Sequence, residues 1–273
     1  MYRHTTYPAA SYTRHQLMSQ HNVTVAKTTP PSRAFLCAAI FCVAFLSSPA
    51  AAETAAKAWL RYALLDPQAA KQYQDSPSRI LLIGDSLVLK TARQELTGGV
   101  QQMLVRSLET TSNPKNAFVL GTLKNVRTLA PTLEPAEPLK ADAFWLKTTR
   151  IRGARCIVIT ATNDRGVLYG VFTLLSKIAR GESIATLDDI QQPYAPVRWI
   201  NQWDNLDGSI ERGYGGPSIF FEAGKVRADL TPAAQYARLL ASVGINACTV
   251  NNVVSSLSSG NRPNSQFVCG RCE

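Results

Sequence analysis

Apolar and polar positions divide the chain into short hydrophobic runs and longer helical stripes. Trp59, Leu60, Ala63, Leu64 and Tyr73 recur at helical spacing and predict a helix over 55–73. Arg79-Ile80-Leu81-Leu82-Ile83-Gly84 is a continuous apolar run closed by glycine, the pattern of a buried strand. Residues 86–107 predict a second helix, interrupted near Gly98-Gly99. Phe118-Val119-Leu120-Gly121 predicts a second strand, and the Pro-rich stretch 128–138 a loop. Alternation over 143–150 and 154–161 predicts two strands joined by a turn at Arg152-Gly153. Val167, Leu168, Val171, Phe172, Leu175 and Ile178 then predict a helix over 165–179, capped by Asn163-Asp164. The result is a small α/β layer with helices packed on mixed strands.

Pro193 to Pro196 marks a boundary, and the pattern changes after it. Residues 197–203 read as a strand that runs into a long loop rich in glycine and charge, from Asp204 to Gly216. Thr231-Pro232 predicts a helix start, with Thr as N-cap and Pro at the first helical position. Tyr236, Leu239 and Leu240 face inward on that helix, and Gly244 closes it. Residues 245–250 form the next strand, followed by Asn251-Asn252. Strand, helix and strand make one βα unit, and in such units the loops at strand C-termini carry the site. Trp203, Asp204 and Asn251 all stand at those ends.

Composition narrows the chemistry. With 45% hydrophobic and 18% charged residues the chain is globular. The net charge of +10 is uneven: residues 1–52 hold Arg3, Arg14, Lys27 and Arg33 and no acid, leaving 25 basic against 19 acidic residues beyond them. No basic run interleaved with aromatics occurs there, so nucleic acid is not an expected partner. All three histidines, His4, His15 and His21, fall in the first 52 residues. If that segment is removed, a Ser-His-Asp triad, a Cys-His pair and a His-ligated metal are excluded. Gly84-Asp85-Ser86 is therefore a helix cap rather than a catalytic serine.

The first 52 residues read as a secretory signal with a long leader. Lys27 and Arg33 precede an apolar run from Ala34 to Leu46, and Ala50-Ala51-Ala52 offers a small-residue cleavage site after Ala52. The run is too short to span a membrane, which takes about 20 apolar residues, so no membrane partner is expected after cleavage. Export, to the periplasm or beyond the cell, permits disulfides among Cys156, Cys248, Cys269 and Cys272. Cys269-x-x-Cys272 is by itself a weak sign of metal or redox chemistry.

The segment Arg198-Trp199-Ile200-Asn201-Gln202-Trp203-Asp204-Asn205-Leu206-Asp207-Gly208-Ser209-Ile210-Glu211-Arg212-Gly213-Tyr214-Gly215-Gly216 resembles the signature of the bacterial α-glucuronidases of glycoside hydrolase family 67. The run from Tyr236 to Asn246 leading to Asn251-Asn252-Val253, and Asn163 to Phe172 upstream, are similar to that family too. The β-hexosaminidases, which also place a small domain before a barrel, lack the Trp203-to-Gly216 signature.

The resemblance implies an α/β N-terminal domain over 53–192, followed over 193–254 by the first βα unit and second strand of a (β/α)8 barrel. It implies inverting removal of (4-O-methyl-)glucuronic acid from glucuronoxylan-derived oligosaccharides, with no metal or cofactor. By the resemblance Trp203 lines the glucuronate pocket and Val253 lies near the methylated O4, with Asn251 and Asp204 beside them. A homodimer of the full-length form is left open.

Inversion requires an acid and a base about 6.5–9.5 Å apart, and the family carries them on later strands that this chain does not match. Asp204, Asp207 and Glu211 share one loop, and their expected use is loop hydrogen bonding and pairing with Arg212. After Val253 the similarity is expected to stop: 255–273 reads as a divergent, frameshifted tail and the whole as a truncated barrel. The chain is then inactive alone, at most a carbohydrate-binding module. The part after Pro193 is expected to stay disordered or aggregate, since two strands cannot close a barrel.

Overall fold

The computed structural model describes residues 58–250 and the strand Phe267–Val268. The segment expected to be a signal, Asn251, Val253 and the Cys269/Cys272 pair lie outside the described residues. The expected helix over 55–73 is overturned: after a helical turn at 58–59 the chain runs without helix to Asp66, and only α1, Pro67–Lys71, is helical. Pro67 forces the residue before it out of the helical region, and Asp66 is extended (φ −61°, ψ 153°). Its carboxylate then caps the new helix by accepting from the amides of Gln68 and Ala69.

β1 (Arg79–Ile83) leads into α2 (Leu87–Leu104), which Ser86 caps through a hydrogen bond from the Leu89 amide. α2 passes through Gly98-Gly99 unbroken. A Cβ on Gly99 would lie 2.5 Å from Leu175 Cδ2, so this glycine serves close helix packing rather than a kink. β2 (Glu109–Thr110), β3 (Ala117–Thr122) and the short α3 (Leu123–Val126) follow. The hairpin β4 (Phe144–Ile151) and β5 (Ala154–Ala161) turns at Arg152-Gly153, both at positive φ (52° and 78°), as two-residue hairpin loops require. α4 (Asp164–Ala179) begins at Asn163, whose side chain accepts from the Gly166 amide, and β6 (Asp188–Gln191) ends the layer.

The six strands form one sheet in the order β2-β1-β3-β5-β4-β6. β2, β1, β3 and β5 run parallel; β4 is antiparallel to both β5 and β6. Ile80, Phe118, Leu120, Leu146, Ile157 and Ile159 face one side and pack with Leu89, Leu96, Val100 and Met103 of α2 and Val171, Leu174, Leu175 and Ile178 of α4. Leu81, Val119, Trp145 and Val158 face the other, under Val126 and Leu133. Each such fully buried side chain contributes about 1.5–3 kcal/mol, so the two clusters hold the layer. The Cys156 thiol is sealed in the second cluster and burial pushes its pKa up to about 11, which leaves it a packing group.

Beyond Pro193, β7 (Trp199–Gln202) is followed by the hairpin β8 (Phe221–Glu222) and β9 (Lys225–Val226), then α5 (Thr231–Ser242) and β10 (Ala247–Val250). β7 and β10 pair in parallel, Trp199 opposite Ala247 and Gln202 opposite Val250, and β11 (Phe267–Val268) lies antiparallel on β10. Thr231 is inside α5 rather than its cap, and its amide is received by Asp229 instead. Gly244 (φ 75°) ends the helix as expected. Within the described residues this part is folded, not disordered, because two buried carboxylates tie it to the sheet layer. Glu95 of α2 receives Arg238 of α5, and Asp142 receives Arg198 and Asn246 at the starts of β7 and β10.

Candidate functional site

Strand alternation sets the two faces of β7. Trp199, Asn201 and Trp203 fall on the exposed side, while Ile200 and Gln202 turn toward α5. There the Tyr236 hydroxyl donates to Gln202 Oε1 at 3.1 Å. Burial, with Cys248 and Asp204 nearby, raises the Tyr236 pKa, so it stays a neutral donor.

Immediately after β7 the chain folds into a knot over two buried polar residues, Asp204 and Asn205, both 0% exposed. The Asn205 amide donates to Ser209 O (2.8 Å), and its Nδ2 to Ser209 Oγ (2.9 Å) and Glu211 O (2.6 Å). The Glu211 amide returns to Trp203 O at 2.7 Å, which closes the loop onto the strand end. Asp207 accepts both the Ser209 amide (2.8 Å) and hydroxyl (2.7 Å). Those two hydrogen bonds hold its carboxyl below the usual range. Gly208 (φ 97°) makes the tight reversal that this pattern needs.

Ser218 locks the outer layer of the knot. Its hydroxyl donates to Asp204 Oδ2 and accepts from the amides of Phe220 (3.0 Å) and Phe221 (2.9 Å). The second carboxylate oxygen of Asp204, Oδ1, is buried and accepts no hydrogen bond among the described residues. Among the described residues Glu211 forms no ion pair with Arg212 within 4 Å, and its proximity raises the Tyr214 pKa. The polar groups of the loop are thus largely spent inside it, and Trp203, 44% exposed, is left presenting its indole.

Of the four residues expected from sequence, Trp203 is at the surface and Asp204 directly beneath it, as a support of the loop. Asn251 and Val253 lie outside the described residues. Ser218 was not anticipated, since a serine 14 residues along the loop carries no pattern of its own. Nor was Asp142, which sits at φ 63° and has a 2% exposed side chain. It accepts from Asn163 (2.9 Å), Arg165 (3.2 Å), Arg198 (3.0 Å) and Asn246 (2.9 Å). Burial alone would raise its pKa, but the hydrogen bonds from Asn246, Asn163 and Arg198 and the Arg165 charge outweigh it and hold it low. Arg198 also donates from Nε to Gly244 O (2.6 Å), and its guanidinium lies over the Tyr169 ring at 5.8 Å. Asp142 thereby fixes the starts of β7 and β10, the strands whose ends carry the residues expected at the site.

Among the described residues no group of three or more His, Cys, Asp or Glu side chains is placed to hold a metal ion. No helix among them is long and apolar enough to cross a membrane.

Comparison with known proteins places these features in a family. Residues 58–174 match the glycosyl hydrolase family 67 N-terminus, and residues 177–264 the glycosyl hydrolase family 67 middle domain. The second match runs past Val253, so similarity extends into the segment expected to have left the family. A probable alpha-glucuronidase A of Neosartorya fischeri is 42% identical over 214 residues, covering 77% of this chain and 25% of its own. The alpha-glucuronidase of Hypocrea jecorina is 40% identical over 233 residues, covering 80% and 27%. The chain spans about a quarter of the length of these relatives, which are fungal and do not speak for a bacterial source. A solved family GH115 4-O-methyl-alpha-glucuronidase superposes with a TM-score of 0.43 at 15% identity, over 64% of this chain and 25% of its own. With two consecutive domain models of one family covering the fold and its loop, the chain belongs to glycosyl hydrolase family 67.

Proposed function

We propose that this chain carries the opening strands and the glucuronate-facing loop of an exported α-glucuronidase. The enzyme removes (4-O-methyl-)glucuronic acid from xylo-oligosaccharides by inverting hydrolysis. The observation that carries the reading is Trp203, half-exposed at the C-terminal end of a parallel strand and held there by a loop whose hydrogen bonds are made largely within itself. An aromatic face fixed at a strand end suits a sugar ring. The similarity to fungal α-glucuronidases supports release of glucuronic acid as the reaction. In this reading β7, α5 and β10 open a (β/α)8 barrel, and Asn251 and Val253 join Trp203 at the pocket. Asp204 serves it from below. Residues 1–52 direct export.

The same loop favours binding over hydrolysis by these 273 residues. Inversion requires two carboxyl groups about 6.5–9.5 Å apart with a water between them. Asp204 is committed to Ser218 and Asp207 to Ser209, and Glu211 shares the one strand-end loop with them. The acid and base are therefore assigned to later barrel strands, and this chain by itself to carbohydrate binding.

Titrating the chain with glucuronosyl-xylotriose tests both parts, read by indole fluorescence and by proton NMR of the anomeric signals. Fluorescence change without uronic acid release is the expected result. Release of uronic acid by the 273-residue chain would refute the division of labour, and no binding would refute the site. A chain extended through the later strands should release the β-anomer first.

A further inference from the structure

The tip of the β4–β5 hairpin carries a charge arrangement that the fold does not explain. Arg150 and Arg155 are directly opposite each other in the antiparallel register, and Arg152 stands on the turn between them. All three are exposed. Like charges directly opposite destabilise a strand pair, so these arginines work against the hairpin. Nor are they neutralised: among the described residues none of the three forms an ion pair within 4 Å, although most of the other described arginines do. Asp75 lines the same cleft of about 120 Å³ as Arg155 without pairing with it.

Each flanking guanidinium is instead steadied by a carbonyl. Arg150 Nη1 donates to Gly153 O at 2.9 Å, and Arg155 Nη2 to Ala185 O at 3.0 Å. A guanidinium has five N–H donors, so each is oriented while most of its donors remain available. The neighbouring loop adds to the charge: the Asn116 amide donates to Arg155 O at 2.9 Å, next to the exposed Lys115.

We propose that Arg150, Arg152 and Arg155 form an accessory docking surface for the carboxylates of a uronate-bearing polysaccharide. Planar guanidinium groups receive carboxylates through paired hydrogen bonds. Three of them gathered at one hairpin tip, with no acid among the described residues paired to them, complement the charge of a polyanionic chain. The choice of uronate rests on the glucuronoxylan reading above, whereas the surface itself rests on the hairpin.

The test compares binding of the 273-residue protein to glucuronosyl-xylotriose, to glucuronoxylan, to carboxyl-reduced glucuronoxylan and to duplex DNA at low and physiological salt. Four proteins are measured: wild type, R150Q/R152Q/R155Q, R150K/R152K/R155K and Trp203→Ala. The glutamine variant should bind glucuronoxylan about tenfold more weakly, with the difference shrinking as salt rises. The lysine variant should keep most of the affinity, and carboxyl-reduced polymer should bind wild type no better than the glutamine variant binds native polymer. Equal binding of wild type and glutamine variant, equal binding of the reduced polymer, or tighter binding of DNA than of glucuronoxylan would each overturn the proposal. If the triple variant fails to fold, Arg152→Gln alone should still give about a threefold loss, and no loss would overturn it. Trp203→Ala separates the two readings. If it abolishes oligosaccharide binding while the glutamine variant still binds polymer normally, the loop site stands and the hairpin surface falls. If it changes nothing while the glutamine variant loses the polymer, the hairpin surface stands and the loop site falls.

Discussion

Arg238 grips the buried Glu95 carboxylate with two nitrogens, Nε to Oε2 at 2.8 Å and Nη2 to Oε1 at 2.5 Å, across 143 residues of sequence. The Tyr62 hydroxyl donates to the same Oε1 at 2.6 Å, and the Arg238 guanidinium lies 5.7 Å from the Tyr62 ring. A helix with no fully buried residue is thus attached to the sheet layer by one charged contact more than by apolar area.

Arg238→Ala should therefore destabilise the protein by about 2–4 kcal/mol, since it strands a carboxylate whose side chain is 8% exposed. Glu95→Gln and the double variant complete a cycle, and the coupling by urea denaturation should be about 1–3 kcal/mol. A coupling near zero would mean that α5 is held by something else.

Asp142 gives the protein an acid-sensitive latch. Its folded pKa lies below the ordinary value of 3.8, so the unfolded chain takes up the proton first as pH falls. The stabilisation is complete above the unfolded value, declines as pH drops through about 3.8, and is gone below the depressed folded value. Urea midpoints from pH 6 to pH 2.5 should fall more steeply for wild type than for Asp142→Asn. The variant should already be weaker by about 1–3 kcal/mol at neutral pH, because an amide cannot receive all four donors. Parallel curves for the two proteins would rule the latch out.

Adjacent glycines in α2 should respond in opposite directions. A Cβ at Gly98 meets nothing within 4 Å, and Gly98→Ala should stabilise by about 0.5–1 kcal/mol through helix propensity. A Cβ at Gly99 would meet Leu175 at 2.5 Å and 2.9 Å, and Leu175 is fully buried and cannot swing away. Gly99→Ala should cost about 1–3 kcal/mol. Thermal unfolding of the pair decides, and a stabilising Gly99→Ala would contradict this packing.

Ser218→Ala removes the hydrogen bond that Asp204 Oδ2 receives and the hydroxyl that accepts from the amides of Phe220 and Phe221. The expected cost is about 1–3 kcal/mol, with faster proteolysis between 205 and 221. Trp203→Ala, at a half-exposed position, should change stability by no more than about 0.5 kcal/mol yet weaken oligosaccharide binding at least tenfold. If Trp203→Ala unfolds the protein, the indole is a packing group rather than a sugar platform.

Sequence was most informative where local rules decide. β1, β3, the β4–β5 hairpin with its Arg152-Gly153 turn, and α4 with its Asn163 cap follow from periodicity and turn chemistry, which act over a few residues. The helix expected over 55–73 failed against Asp66-Pro67, a local signal that the apolar spacing obscured. Gly98-Gly99 read as an interruption because sequence does not distinguish a glycine that breaks a helix from one that admits Leu175. At the candidate site, Trp203 was expected from the resemblance, and its exposure at a strand end is what the structure adds.

By itself, then, the sequence determined the α/β layer, the order of its elements and the strand-end loop that bears Trp203. Only the tertiary structure decided how the stretch after Pro193 is held in place. Glu95 with Arg238 and Asp142 with Arg198 and Asn246 join residues 143, 56 and 104 positions apart. No periodicity spans such distances. A lone carboxylate in a sequence looks solvated until folding removes its water and leaves particular guanidinium and amide groups as its only partners.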